Sequence, residues 1–538
     1  MKTIRIYVLL FVASFAFLGN ANSMDFQHQA FANAQRDGNK SNGMADLLEK
    51  ELKNQTPTLA PIFQSHMVLQ AEKPINVWGM AIPESQFDVN FGNNTQKAIT
   101  DKNGNWKVIF PSMKASFTPF QLKVNTIILE DILIGELWIC SGQSNMGSTL
   151  ASSEGGAAIY KSSNPNALRL LRYTGLPLIA KEGYKEAELQ RSNTVDFFKG
   201  EWTINDKASA EQFSSVAWMF GKKIFDELNV PIGLIQLELG GSAINNWISP
   251  QTLKADPDLA TYFTKDWLTN EDVSIENRDR GKEALQNHLP PKGEPYLVGK
   301  TPYRWLCEPG FLFEAGIEPL KNLNFKGVIW YQGEADGVSS DLISRYKKLF
   351  PLMVQDWRTF FNQGSFPFIY VQLPSYQETM WPELREVQRK ALTQIPNSFM
   401  AITFDLGDEK DIHPKDKLPI GERISFLALN NVYKTPSKMP SFPEVKSIKK
   451  KKNGLIIRLN QAMSGKILEE LPGFEIAGED GKFLSVKAIR IGEAEISIET
   501  PINAQSIRYG WTPYFKSIIK IFNKNGLPLG AFVSDIQQ

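Results

Sequence analysis

At 538 residues the chain is longer than one ordinary domain and has room for roughly two to four. Its net charge of +1, from 59 basic against 58 acidic side chains, gives no overall field toward nucleic acid or an anionic membrane surface. Cys140 and Cys307 are the only cysteines, too few for a disulfide framework or a thiolate metal centre, so none of these is expected.

The amino terminus reads as an export leader. Lys2 and Arg5 precede the apolar run Ile6 to Leu18, which gives way to Ala21-Asn22-Ser23. Charged, apolar and small segments in that order form a secretory signal peptide, and the run is too short to span a bilayer comfortably. Cleavage near Ser23 and a secreted or periplasmic mature chain are expected. Residues 24–55 are polar without a sustained period and read as linker. Between 56 and 130, short segments such as INVWGM, FDVNF, WKVIF and QLKVN alternate with turn chemistry, notably Lys102-Asn103-Gly104-Asn105, the pattern of a small β-sandwich.

From about residue 131 to 440 the pattern becomes strands alternating with helices, which implies an α/β fold with a parallel, doubly wound sheet. Strands are expected at 133–140, 233–239, 327–332, 366–373 and 399–405. The clearest helix is 210–228, with Phe213, Val216, Ala217, Phe220, Ile224, Phe225 and Leu228 on one stripe and Ser209 with Gln212 as a capping box. Residues 250–308 break the alternation, carry Pro290-Pro291-Lys292-Gly293 and read as an insertion of the kind that shapes a substrate pocket. Lys449 to Lys452 run into Asn453-Gly454 and read as a solvated hairpin rather than a binding tail. Residues 441–538 return to short strands, a second β-module.

Candidate chemistry gathers at the carboxyl ends of the expected parallel strands, where open α/β sheets bind ligands. The buried run Ile132 to Cys140 stops at Ser141-Gly142-Gln143-Ser144-Asn145, which puts a hydroxyl on a glycine-permitted turn. A serine nucleophile needs a base, usually histidine. Of the four histidines, His413 lies in a polar loop after the last of these strands, with Asp411 close enough in sequence to orient it. Gly240-Gly241-Ser242 allow close backbone approach, and Gln332-Gly333-Glu334 add an amide and backbone N–H groups, the parts of an oxyanion hole. Gln143 and Asn145 beside the serine are candidate substrate contacts. Trp247, Tyr331 and Trp305 could give a sugar a stacking face, although each such residue is more often simply core or pocket wall.

GQSNM around Ser144, GGS at Gly240 to Ser242, WYQGEAD from Trp330 to Asp336 and DIHP from Asp411 to Pro414 resemble the conserved blocks of the SGNH hydrolase superfamily, within it the carbohydrate-esterase branch that includes sialate O-acetylesterases. PIFQSHMVLQAEKPINVWG and DKNGNWKVIFP resemble that family's amino-terminal β-domain, and RYGWTPY with NKNGLPLGAF its carboxyl-terminal one. The resemblance implies Ser144 as nucleophile and His413 as base. It also implies an oxyanion hole of the Ser144 N–H, the Gly241 N–H and the Gln332 side chain, and an acyl-enzyme reaction on acetylated sialic acid or another acetylated glycan, with no metal or organic cofactor. Where the superfamily usually places its acid, three residues before the histidine, stands Lys410. Asp411, with Glu334 as rival, is the candidate for the third position. No GxSxG elbow is present, which argues against a lipase of that kind. Competing readings are an acetyl-xylan or other plant-polysaccharide esterase, an esterase of lipid or other acyl esters, and a secreted carbohydrate-binding protein without catalysis, the last disfavoured by the presence of both Ser144 and His413.

Overall fold

The computed structural model describes residues 56–536 apart from 163–165, 287, 290–303, 436–437 and 517–518. The expected leader, the linker and the Pro290–Gly293 turn lie outside the described residues. The chain is mixed α/β, and its central sheet is built outward from one long strand, β1 (Ile127–Gly142). Ile128 and Glu130 at the start of β1 are exposed while their neighbours are half-buried. From Ile132 to Gly142 every residue but Glu136 is buried. That change of pattern marks the passage from a sheet with one wet face to a sheet covered on both.

Six further strands complete the arrangement around β1: β2 (Leu168–Arg172), β3 (Trp202–Ile204), β4 (Ile232–Glu238), β5 (Gly327–Tyr331), β6 (Phe368–Val371) and β7 (Ser398–Ala401). They lie in the order β3-β2-β4-β1-β5-β6-β7, all parallel except the edge strand β3. The first half of β1 pairs instead with Ser116–Val124, antiparallel, and with Val68–Gln70, parallel. The boundary expected at 130/131 therefore falls inside a continuous strand.

Aromatic side chains mark the two faces. Trp330 is in register with Ser141, and Gly327 with Trp138, so Trp138 and Trp330 point to opposite sides. Trp138 meets Phe220 edge-on at 5.0 Å, on the helix Ser215–Leu228 (α1), and its Nε1–H donates to the Tyr433 hydroxyl at 2.9 Å. Trp330 meets Trp357 at 5.9 Å, on the helix Ser340–Phe361 (α2). The single helix expected at 210–228 is two: Lys207–Gln212, capped by Asp206, and α1, capped by the Ser214 hydroxyl. The break comes where the Ser214 N–H is drawn to Gln236 on β4, and Ser209 is not the cap.

Beyond the central sheet, strands at 445–451, 454–459, 470–471, 488–490 and 495–499 form one antiparallel sheet, and those at 474–477, 483–485, 506–509 and 532–535 another. The basic block is a solvated hairpin, with Lys451 opposite Gly454 and the lysines from 449 to 452 exposed. Both cysteines are buried free thiols whose ionisation burial pushes up. Trp138→Ala is expected to destabilise by about 3–5 kcal/mol, since it removes a fully buried ring and the hydrogen bond that the ring donates to the Tyr433 hydroxyl. A shift in the urea midpoint corresponding to less than about 1 kcal/mol would contradict this packing role.

Candidate active site

The serine is delivered by a turn that only glycine can make. Gly142 has φ of +138°, and a β-carbon there would lie 2.1 Å from the Tyr331 carbonyl oxygen. The Gln143 N–H donates to that same oxygen at 3.0 Å, so β1 and β5 close together just before Ser144 opens a one-turn helix, Ser144–Gly147. His413 arrives on the loop between β7 and the helix Leu418–Ala428 (α3). Its Nε2 lies 2.7 Å from Ser144 Oγ, and its side chain is 47% exposed.

The two candidate carboxylates have different surroundings. Asp411 Oδ1 is 3.9 Å from His413 Nδ1, beyond hydrogen-bond range, and instead accepts the His413 backbone N–H at 2.8 Å. Asp408 caps the preceding turn by accepting the Lys410 and Asp411 N–H groups. Glu334 has no hydrogen bond or ion pair to His413. It is buried, and its Oε1 accepts from the Asn145 side chain while Oε2 has no partner. Asn145 also donates to the Ile412 carbonyl at 3.0 Å and accepts from Lys417 Nζ. Glu334 is thus corrected from triad member to anchor of Asn145, and Asn145 from substrate contact to buried tie. Lys417 was not foreseen. Its one sequence signal is a cation immediately before an apolar helix, where the helix dipole disfavours it.

A cleft of about 640 Å³ opens over the pair, lined by Ser144, His413, Gln143, Gly240, Gly241 and Glu334 among others. Gly241 has φ of +74°, and a β-carbon at Gly240 would lie 3.4 Å from Ser144 Cβ. Among the described residues neither the Ser144 nor the Gly241 N–H has an acceptor. Gln332 does not line the cleft: its fully buried amide donates to Ser242 O at 3.1 Å and Asp336 Oδ2 at 2.6 Å, so its expected place in the oxyanion hole is withdrawn. Trp247, Tyr331 and Trp305 are likewise fully buried and present no stacking face. Trp247 donates to Ser242 Oγ, Trp305 donates to Asn277 O, and the Tyr331 ring lies 5.7 Å from Lys417 Nζ. Gln143 does reach the cleft, its Oε1 accepting the Ala335 N–H at 3.3 Å. Segment 250–308 lines the cleft through Glu276, Asn277 and Arg280.

This geometry has counterparts in known proteins. Residues 298–421 match the family model described as carbohydrate esterase, sialic acid-specific acetylesterase. The chain is 30% identical over 404 residues to the sialate O-acetylesterase of Mus musculus, which spans 68% of this chain and 71% of that one. The chain belongs to the sialate O-acetylesterase family. The Homo sapiens sialate O-acetylesterase is also 30% identical, over 407 residues, covering 68% of this chain and 69% of that one. A solved carbohydrate acetylesterase from Xanthomonas citri superposes with a TM-score of 0.69 at 25% identity, covering 89% of this chain and all of that one.

In this family member the charges around His413 favour its neutral form. Burial lowers its proton affinity below the ordinary histidine value, Lys417 lowers it further, and Asp411 acts the other way. Beneath it, burial pushes Glu334 up to about 7 and Lys417 down to about 8. A base must be unprotonated, so turnover is expected to persist below the usual histidine value of roughly 6.5 and to fall only as pH drops through the lowered one. Lys417→Met removes the neighbouring cation and should move that acid limb upward in a pH profile of kcat/KM. An unmoved or downward-shifted limb would contradict this account.

Proposed function

We propose that the chain removes acetyl esters from sugar hydroxyls through an acetyl-enzyme formed on Ser144. The observation that carries this is the 2.7 Å contact between Ser144 Oγ and His413 Nε2 in the wall of the cleft. Ser144 Oγ attacks the acetyl carbonyl carbon while His413 Nε2 takes the hydroxyl proton. The Ser144 and Gly241 N–H groups, which have no other acceptor among the described residues, receive the oxyanion. As the tetrahedral intermediate collapses, His413 returns the proton to the departing sugar oxygen. Water, deprotonated by His413, then releases acetate and regenerates the serine. Asp411 acts as a charge beside the imidazolium and as the cap that turns the loop, and the reacting unit is a Ser-His pair without a carboxylate bonded to Nδ1.

The fold reading that goes with this chemistry is an SGNH hydrolase domain, doubly wound, over residues 131–440, with β-sandwich-like modules at 56–130 and 441–538. The parallel order of β2, β4, β1, β5, β6 and β7, with helices against both faces, supports it. The order of Lys2 and Arg5, Ile6 to Leu18 and Ala21-Asn22-Ser23 supports export. Family membership supports O-acetylated sialic acid as substrate.

Acetate release from O-acetylated sialic acid, acetylated xylan and a long-chain ester, measured side by side, tests the substrate class. Release from the long-chain ester alone would overturn it. Ser144→Ala should lose on the order of 10⁴–10⁶ in kcat with unchanged circular dichroism, and a folded variant with near wild-type turnover would remove Ser144 from the mechanism. Asp411→Asn keeps an oxygen for the His413 N–H but drops the charge. Its loss should fall well short of the roughly 10⁴-fold drop found where a carboxylate bonds the ring directly, and a loss of that full size would restore the triad.

A further inference from the structure

Arg280 stands on the helix Ile275–Ala284, one turn after Glu276, and lines the same cleft as Ser144 and His413. Its Nη1 lies 3.5 Å from the position a β-carbon on Gly241 would occupy, which puts the guanidinium beside the backbone assigned to the oxyanion. Among the described residues it has neither an ion pair nor a hydrogen bond. Glu276 has the helical spacing to pair with it but is exposed and does not. The other titratable side chains of the wall are Glu276, the buried Glu334 and His413, so among the described residues Arg280 is the one fixed cation lining the cleft. Around it the wall is aliphatic, with Leu176, Leu178, Leu239 and Val338, and none of the lining residues is aromatic.

A guanidinium remains charged at any working pH and offers several N–H donors in a flat fork, the complement of a carboxylate. Against an aliphatic wall its attraction for an anion is screened less than in water. With the acetyl group over Ser144, a neutral sugar leaves this cation without a partner. A sugar acid can bring a carboxylate to it in a two-pronged contact. We infer that Arg280 is the specificity-determining residue of the cleft, binding a carboxylate on the acetylated sugar and so selecting acidic over neutral substrates. This rests on the esterase reading of the Ser144–His413 pair. Glu276, a like charge to the substrate carboxylate, works against it and limits the selection.

The test compares an O-acetylated sialic acid with the same sugar whose carboxylate has been converted to a neutral amide. Wild type should favour the acid in kcat/KM by on the order of 10- to 100-fold, carried in KM, the range expected for a charge-assisted bidentate contact. Arg280→Met should bring that ratio near unity, Arg280→Lys should leave it intermediate, and Glu276→Gln should raise it. A wild-type ratio near one, or a ratio that survives Arg280→Met, would overturn the assignment. Calorimetric binding of the deacetylated acid and its amide to Ser144→Ala, with and without Arg280→Met, reads the same preference without turnover. Loss of all ester hydrolysis in wild type would count against the esterase reading, while the binding preference would still decide the role of Arg280.

Discussion

The site is held in register by one buried amide. Asn145, the residue after the serine, spends its Nδ2 on Glu334 from the loop after β5 and on the Ile412 carbonyl of the histidine loop, while its Oδ1 receives Lys417 at the start of α3. Two segments far apart in sequence, the loop at Glu334 and the stretch from Ile412 to Lys417, thus converge on a side chain adjacent to Ser144, and the short contact between Ser144 and His413 depends on that convergence. An amide can do this because it both donates and accepts, so one oxygen of the acid and the ammonium of the base are each engaged without touching each other. A hydrocarbon at this position would leave the Ile412 carbonyl, a carboxylate and an ammonium all buried and unmatched, which is far less favourable than losing one hydrogen bond.

The parts of the molecule that repeat were legible in the sequence. Buried strands announce themselves as unbroken apolar runs, and three of the five expected strands lie within two residues of their places, while the first begins earlier, at Ile127 rather than 133, and the last ends earlier, at Ala401 rather than 405. Because those strands are parallel, their carboxyl ends share an edge, which is why Ser144, Gly241 and His413 could be brought to one cleft from spacing alone. What the sequence could not decide is which side of a strand-end turn each side chain takes. Gln332 and Gln143 have the same chemistry and both follow strand ends, yet one is spent on Ser242 and Asp336 while the other reaches the cleft. The tryptophan and tyrosine beside the motifs were open to the same ambiguity, and packing claimed them. The apolar stripe running past Phe213 also hid the break at Ser214, since a hydrogen bond to a distant strand leaves no trace in local periodicity.

At the cleft wall and behind it the sheet edge carries a layer of buried acids. Glu238 at the end of β4, and Glu334 and Asp336 after β5, are each raised to about 7, burial being the leading cause in every case. Their hydrogen-bond partners are neutral amides and backbone N–H groups, with Lys417 near Glu334 and Arg172 near Glu238. The layer therefore sits near the point where it carries or sheds charge around neutrality, while the cleft itself is dominated by aliphatic side chains. A reaction that develops charge at Ser144 and His413 meets an aliphatic wall with fixed backbone dipoles close by, a setting that screens the charge less than bulk water does.

The long strand β1 has a mechanical consequence. Because its first residues are woven into the amino-terminal sheet and its last residues run into the Ser144 turn, the two are joined by one continuous strand, and neither can swing or fray without unzipping hydrogen bonds in the other. Opening events that expose the amides of Ile127–Ile134 to solvent should be the same events that expose those of Leu137–Ser141, so the two halves exchange hydrogen as one cooperative unit. The amino-terminal sheet is in this sense a splint for the Ser144 turn, and a shortened chain that begins at residue 131 would inherit the serine without the brace that keeps it still.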